Sequence, residues 1–297
     1  MDFCYLCIRN DYSSDMKRLT PIIFLSLLLP SLMFGQAQIT TKKYRISDFP
    51  DKTTKIVLSG NDFEDNLLWQ EISRRWTISA YEFCTREEFE ELKTSDDYYF
   101  LMTVNERAPK ESGDGTVMLT LVKGGPKATE GISAMQEVIS VPFYAADGGP
   151  GRGVVYLPAL IDIIQDFVPR AMEKDIAGYS GLLNYSSNIY RSRDMNVLFS
   201  EDDLAGSVTE SVRTKHFGHG MAIVDEAEAD EAFDGHSFNT LVSFVVASED
   251  PEPGSYCYLM LISADTHELY YFKRRKIRRP EDRGFLPEDI QKIARRR

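Results

Sequence analysis

Three of the four histidines lie close enough in the sequence to suggest a metal site. His216 and His219 form an HxxH pair within TKHFGHG, and His236 follows an acidic run at 225–234. Neutral imidazoles and carboxylates are ligands that zinc takes in proteins. The spacing differs from the HExxH pattern, and the flanking glycines favour a loop. A metal-dependent hydrolase and a polar surface loop are therefore both open interpretations.

A glycine-rich segment at 145–153, AADGGPGRG, has the composition of an anion-binding loop. Its glycines would leave backbone N–H groups free to point at a phosphate or carboxylate; they are Gly148, Gly149 and Gly151. Arg152 would add positive charge to such a site. The segment matches neither the P-loop nor the GxGxxG pattern, so the sequence favours a flexible surface loop, with the anion site as the alternative.

The segment KRRKIRR is the most unusual charged feature of the chain. It contains six basic residues: Lys273, Arg274, Arg275, Lys276, Arg278 and Arg279. In a chain with a net charge of −12, such a run is suited to anionic lipid headgroups, lipopolysaccharide phosphates or an acidic protein. The sequence nevertheless favours an edge strand, in which alternate residues are exposed and charged and prevent strand-to-strand aggregation.

No nucleophile lies in a recognisable catalytic pattern. The chain contains no GxSxG sequence, and Cys84 sits in an apolar strand pattern beside Phe83, without a nearby base to form a thiolate. A pair of carboxylates for glycoside hydrolysis is defined only in space, so the sequence singles out no such pair. We predict no catalytic residue and no cofactor.

The segment that begins at Met16 has the layout of a secretory signal peptide. Lys17 and Arg18 provide the basic start, and an apolar run follows at 19–34. Small residues then lead to Ala37, after which we expect cleavage. We take Met16 as the true start of translation. A retained membrane anchor is the alternative, because about 17 apolar residues is the lower limit for spanning a bilayer.

Export determines which cysteines remain in the mature chain. Removal of the leader and signal peptide, residues 1–37, takes away Cys4 and Cys7 and leaves Cys84 and Cys257. In an oxidising compartment these two can form a disulfide. Two buried thiols are the equally open alternative, because both lie in apolar strand patterns and free cysteine behaves as a small hydrophobic residue.

The composition is that of a globular protein. Of 297 residues, 43% are hydrophobic and 27% are charged, which allows one large domain or two modest ones. We predict a single mixed α/β domain over 38–297, or two lobes divided near residue 177, with no transmembrane segment after cleavage. The net charge of −12 argues against a nucleic-acid partner, because such proteins must neutralise phosphates.

The elements that would position these residues begin with a βαβαβ unit at 55–104. Leu68 and Ile72 recur at helical spacing and predict a buried helix face, which we expect Phe63 to widen. Asn61 or Asp62 is placed to cap this helix.

A second helix and a hairpin complete the predicted first part. Thr85, followed three residues later by Glu88, has the pattern of a capping box. The turn-rich segment 107–115 is expected to connect two strands of a hairpin, and 137–144 is another strand.

The remaining elements are a long helix, an irregular middle segment and a C-terminal meander. The apolar spacing predicts a helix from Pro158 to Lys174. The segment 178–235 is the least regular, and its acidic run predicts a short solvated helix. Three strand patterns then form an antiparallel meander, followed by a helix from Pro287. The sequence shows no internal repeat. The predicted class is α/β to α+β, with a mixed sheet and flanking helices.

Several segments resemble known envelope proteins. The segments are WTISAYEFCTREEFEELKTSDDYYFL, TLVSFVVA and YLMLISADTHELYYFKRRKI. They are similar to secreted proteins of unknown function from Gram-negative envelopes. They are also similar to the periplasmic α/β domain of CsgG-like and LpoB-like accessory proteins, over 53–123 and 238–297. The resemblance implies an architecture and a periplasmic or secreted location, and it transfers no catalytic residue.

These observations predict an exported protein that acts by binding or scaffolding. The expected partner is an envelope protein or an anionic envelope component. The alternative is the metal-dependent hydrolase that would use His216, His219 and His236.

Overall fold

A computed structural model describes residues 46–108, 110–173 and 180–296. The predicted leader, its start at Met16 and its cleavage after Ala37 lie outside the described residues. The fold class is confirmed: two mixed sheets of five strands each carry helices on their faces.

The first sheet is built from the N-terminal half of the described chain. Its strands are β1 (Thr53–Val57), β2 (Ala80–Cys84), β3 (Tyr98–Glu106), β4 (Thr116–Lys123) and β5 (Gln136–Ala145). They are arranged in the order β2-β1-β3-β4-β5. The first three strands are parallel, and the last two are added antiparallel. Helices α1 (Asp62–Arg75) and α2 (Arg86–Leu92) connect the parallel strands, so the predicted βαβαβ unit and hairpin are confirmed.

Local side-chain bonds fix where these two helices begin. The Asn61 side chain accepts hydrogen bonds from the first turn of α1, which satisfies backbone donors that have no partner inside the helix. Thr85 and Glu88 form the predicted capping box at α2. The prediction for Phe63 was wrong: its side chain is 57% exposed, because it lies in the first turn of α1, away from the buried Leu68 and Ile72 face.

The second sheet uses the C-terminal half of the chain. Its strands are β6 (Asn196–Ser200), β7 (Met221–Val224), β8 (Thr240–Val246), β9 (Tyr256–Ser263) and β10 (Leu269–Lys276). They are arranged in the order β10-β9-β8-β6-β7. Strands β6, β7 and β8 are parallel, and β9 and β10 are added antiparallel. The C-terminal meander is confirmed. The connecting helices, which follow β6 and β7, are α4 (Glu210–His216) and α5 (Glu226–Asp234).

The two sheets have the same topology, although the sequence shows no repeat. Each begins with a βαβαβ unit, adds two antiparallel strands and ends in a helix, which is α3 (Gly153–Glu173) in the first half and α6 (Pro287–Arg296) in the second. The N-caps correspond as well, since Thr85 and Asp225 both follow the second strand and both bind the third N–H of a helix. The described chain is therefore a tandem of one supersecondary pattern.

Helix α3 joins the two halves. Its apolar side chains belong to one hydrophobic cluster that contains residues of both sheets, α1 and α5. The helix begins at Gly153 instead of the predicted Pro158, because a tight turn at 150–152 already starts it and Tyr156 and Leu157 are buried. A Cβ at position 153 would lie 2.6 Å from the Phe143 carbonyl oxygen, so this close approach requires glycine.

The outer faces of the two sheets have their own clusters. Phe89 of α2 and Phe100 of β3 belong to the cluster on the outer face of the first sheet. Ile290 and Ile293 of α6 pack on the outer face of the second. The chain also forms short 3₁₀ helices at Phe49–Asp51, Pro126–Glu130, Ile132–Ala134, Gly181–Ser192, Glu201–Asp203 and Pro280–Asp282.

Candidate binding surface

The basic strand β10 separates its cations onto two faces. Lys273 and Arg275 point towards α6, where both form ion pairs with Asp289, and the Arg275 Nη1 to Asp289 Oδ2 distance is 2.9 Å. Asp289 is 1% exposed. The Arg275 guanidinium also donates to the carbonyl oxygens of Asp282 and Gly284. These two cations are therefore part of the packing between β10 and α6.

The other face of β10 presents its cations to solvent. Arg274 and Lys276 are exposed, and both lie over the Tyr256 ring, at 5.0 and 5.3 Å from its centroid. The Lys276 ammonium donates to the Lys110 carbonyl oxygen at 3.0 Å. Within the described residues, no carboxylate forms an ion pair with either side chain. We call Arg274, Lys276 and Tyr256 the basic ledge.

The remaining two basic residues follow the strand. Arg278 is exposed. Arg279 is bound to its own segment, since its Nη2 lies 2.9 Å from Asp282 Oδ1. Of the six cations that the sequence singled out, three therefore form ion pairs, and Arg274, Lys276 and Arg278 form none with the described residues.

A carboxylate pair lies near Arg274 and was not found from the sequence. The Ser140 hydroxyl donates to Glu106 at 3.0 Å. Burial raises the pKa of Glu106, and burial with the neighbouring charge of Glu106 raises the pKa of Glu137 to about 7. The positive charge of Arg274 offsets part of the pKa increase of both carboxyl groups. The residues come from β3, β5 and β10, so only the tertiary structure brings them together.

The hairpin loop between β3 and β4 contacts the start of β9, which carries Tyr256 of the basic ledge. Its Glu111 carboxylate is nearly buried and accepts hydrogen bonds from the backbone N–H of Ala108 at 2.7 Å and of Tyr256 at 3.1 Å. Gly254 lies where a Cβ would approach the Ser112 hydroxyl to 2.9 Å. These contacts hold the first residue of β9, and with it the Tyr256 ring, against the loop.

The glycine-rich loop does not present Arg152 to solvent. The guanidinium is 12% exposed and forms ion pairs with Asp203 at 2.9 Å and Asp230 at 2.7 Å. It also donates to the Tyr156 hydroxyl at 3.0 Å. Gly149 and Gly151 have positive φ angles and shape the turn that leads to this contact. Arg152 therefore ties the first half of the chain to the second.

This ion-pair cluster occupies the carboxyl ends of parallel strands. Asp203 follows β6, and Asp230 lies in the helix that follows β7. Open α/β sheets bind ligands at such strand ends, where the strand order reverses. Here, Arg152 and Tyr156 of the same chain fill the position. The helix that was predicted to be solvated at 225–234 is therefore only partly so, because its Asp230 is paired with Arg152.

The three histidines of the metal hypothesis occupy different elements. His216 is the last residue of α4, His219 lies exposed in the turn before β7, and His236 Nδ1 lies 3.2 Å from the Ala264 carbonyl oxygen. Among the residues that the structure describes, no group of three or more His, Cys, Asp or Glu side chains is arranged to hold a metal ion.

A fourth histidine forms a buried contact that sequence reasoning missed. His267 Nδ1 lies 2.7 Å from Asp162 Oδ2, and Arg75 donates to the same oxygen at 2.8 Å. The imidazole stacks on Phe233. The contact joins α1, α3, α5 and the β9–β10 turn. A positive φ of 57° at His267 gives no signal in the sequence, because the residue is not a glycine.

The two cysteines are free thiols. Cys84 and Cys257 are buried in different hydrophobic clusters, one in each sheet. Burial raises the pKa of Cys84 to about 11 and also raises the pKa of Cys257. Of the two alternatives from the sequence, the structure contains the buried thiols and not the disulfide.

Across 46–108, 110–173 and 180–296, every helix is too short or too polar to span a bilayer. No family model, no curated protein and no solved structure matches the chain. The resemblance to CsgG-like and LpoB-like domains therefore stays a prediction.

Proposed function

We propose that the protein is exported to the periplasm or beyond and acts by binding an anionic partner of the cell envelope at the basic ledge. The observation that carries the proposal is the division of cations on β10. Lys273 and Arg275 form ion pairs with the buried Asp289, whereas Arg274 and Lys276 are exposed beside an aromatic ring. A structural role explains the first pair and leaves the second pair available for a partner.

The overall charge makes this surface selective. A chain with a net charge of −12 repels anionic molecules over most of its surface. A local group of cations is then the place where such a molecule can approach. The Tyr256 ring adds a flat apolar contact, and aromatic and arginine side chains are enriched where binding energy is concentrated.

Export is supported by the sequence alone. The basic start, apolar run and small residues that end at Ala37 follow the order of a signal peptide. Processing can be tested by expressing the full chain with its leader in a Gram-negative host and determining the N-terminus of the periplasmic product. An N-terminus at Gln38 supports export with cleavage, and retention of the intact chain in the cytoplasm contradicts it.

Partner binding can be tested by crosslinking capture from native envelope extracts. The test variant is Arg274→Glu with Lys276→Glu, and the matched control is Lys292→Glu with Arg295→Glu on the exposed side of α6. We expect the first variant to lose the captured partner and the control to retain it. Equal capture by both variants and by the wild type would remove the proposal.

A further inference from the structure

We propose that the free half of the β10 edge accepts an acidic, extended segment of the partner protein as an additional strand. This inference rests on the proposed function and specifies its partner. Addition of a peptide strand to an exposed sheet edge is a common recognition mode, in which main-chain hydrogen bonds provide affinity and side chains provide specificity.

Strand β10 is an edge strand that is covered along only half of its length. It stands at one end of the second sheet, beside β9. The 3₁₀ helix Gly181–Ser192 packs along its first half, where the Asn188 amide donates to the Leu269 carbonyl oxygen at 3.0 Å and the Ser186 hydroxyl bonds with Phe272. No such contact from the described residues reaches the backbone of Arg274 or Lys276.

The hydrogen-bond pattern identifies which backbone groups are free. Phe272 directs its N–H and C=O outwards, since both bond with Ser186. Ile277 directs its N–H inwards, to the Ser255 carbonyl oxygen at 2.8 Å. Successive residues of an antiparallel strand alternate between these two directions. Arg274 and Lys276 therefore point their N–H and C=O groups outwards, and an added strand can bond with them.

The side chains determine what kind of strand fits. Opposite charges on neighbouring strands stabilise their pairing, and like charges directly opposite destabilise it. Arg274, Lys276 and the following Arg278 are exposed cations, so a segment with acidic residues at alternate positions is favoured. Pairing of β10 with β10 of a second copy would bring these cations together, which disfavours self-association through this edge.

The groups that face Arg274 set the local charge. Glu106 and Glu137 act on it from β3 and β5, Glu111 lies in the hairpin loop, and Tyr258 is its neighbour on β9. The carboxyl groups among them reduce the positive potential near Arg274, so Lys276 is the less compensated cation.

The test uses a fluorescent peptide of alternating glutamate and valine, added to the full mature chain. Its first control carries N-methyl groups on alternate backbone amides, which keep the charge and remove strand pairing. Its second control replaces glutamate with lysine. We expect the first peptide to bind, N-methylation to weaken binding at least about tenfold, and the lysine peptide not to bind. Equal binding of the methylated peptide would overturn strand addition.

Amide hydrogen exchange gives a second readout at the predicted positions. We expect the unmethylated peptide to slow exchange at the amides of Arg274 and Lys276 at least about tenfold. The amides of Lys273 and Arg275 already face β9 and should not change. Unchanged exchange at Arg274 and Lys276 under saturating peptide would overturn the inference.

The outcomes separate this inference from the proposed function. If charge reversal at Arg274 and Lys276 abolishes capture of the native partner but N-methylation has no effect on peptide binding, the ledge binds by charge and strand addition is wrong. Binding to vesicles of anionic phospholipid without binding to the peptide would also overturn strand addition. If the wild type neither captures a partner nor binds the peptide, both proposals are contradicted.

Discussion

Arg275 Nη1 lies 2.9 Å from Asp289 Oδ2, between β10 and α6. The carboxylate also receives the Lys273 ammonium and the Tyr271 hydroxyl. One buried acid therefore forms ion pairs with two of the cations of β10 and attaches the last helix to the sheet. The adjacent Arg274 has no such partner among the described residues, and this difference between neighbours is the basis of the proposed function.

We expect Asp289→Asn to destabilise the fold. The substitution leaves Arg275, which is 12% exposed, without its charge partner, and breaking a buried ion pair costs about 3 to 5 kcal/mol. The measurement is the free energy of unfolding in urea. Glu288→Gln is the control, because Glu288 is an exposed neighbour on the same helix. Equal stability of the two variants would refute the role given to Asp289.

We expect Arg152→Gln to weaken the connection between the two halves. The change leaves Asp203, whose side chain is 3% exposed, and Asp230 without a cation, at a cost of about 3 to 5 kcal/mol. Urea unfolding of the variant should show the loss, and Arg279→Gln is the exposed control. A stability equal to that of the wild type would mean that Arg152 is not a structural tie and would return it to the set of binding candidates.

Stability should depend on pH through Glu137. Burial raises its pKa in the folded chain to about 7 from an ordinary 4.5. The stabilisation from the neutral form is therefore complete below about pH 4.5 and is lost as the pH rises through 7. We expect Glu137→Gln to raise the melting temperature at pH 8.5 relative to the wild type and to change it little at pH 4.5. Glu252→Gln, an exposed change, should have no effect at either pH.

The cysteines should remain reduced in the exported protein. Cys84 and Cys257 lie in different clusters, and thiols with a raised pKa form little of the reactive thiolate at neutral pH. Peptide mapping after alkylation in denaturant, without reductant, should recover both as free thiols. Alkylation of the native protein should be slow. A linked pair of peptides would show that the fold of the exported protein differs from the one described.

Local patterns predicted the elements that depend on neighbouring residues. The spacing of Leu68 and Ile72, and the pair Thr85 and Glu88, predicted helices that the structure contains. Strand β7 and helix α4 were missed, because four residues are too few to show a period and α4 buries no residue completely. The tandem topology was missed for a related reason: it is a property of strand order, which different side chains can produce.

The contacts between distant residues were beyond sequence reasoning. The sequence offered an anion site or a flexible surface loop for Arg152, and its partners Asp203 and Asp230 lie far along the chain. For β10, the alternation of a strand predicted that every second residue would be exposed. Which of the two alternating sets of cations forms ion pairs depends on the position of Asp289. This position is fixed only when α6 packs on the sheet.

Binding at the basic ledge can be tested directly by titrating the glutamate–valine peptide into the wild type and into the variant Arg274→Gln with Lys276→Gln. Both side chains are exposed, so the folded structure should be retained, and circular dichroism can verify this. We expect the variant to bind at least about tenfold more weakly, equivalent to roughly 1.4 kcal/mol. Equal affinity of a folded variant would show that the basic ledge is not the binding surface.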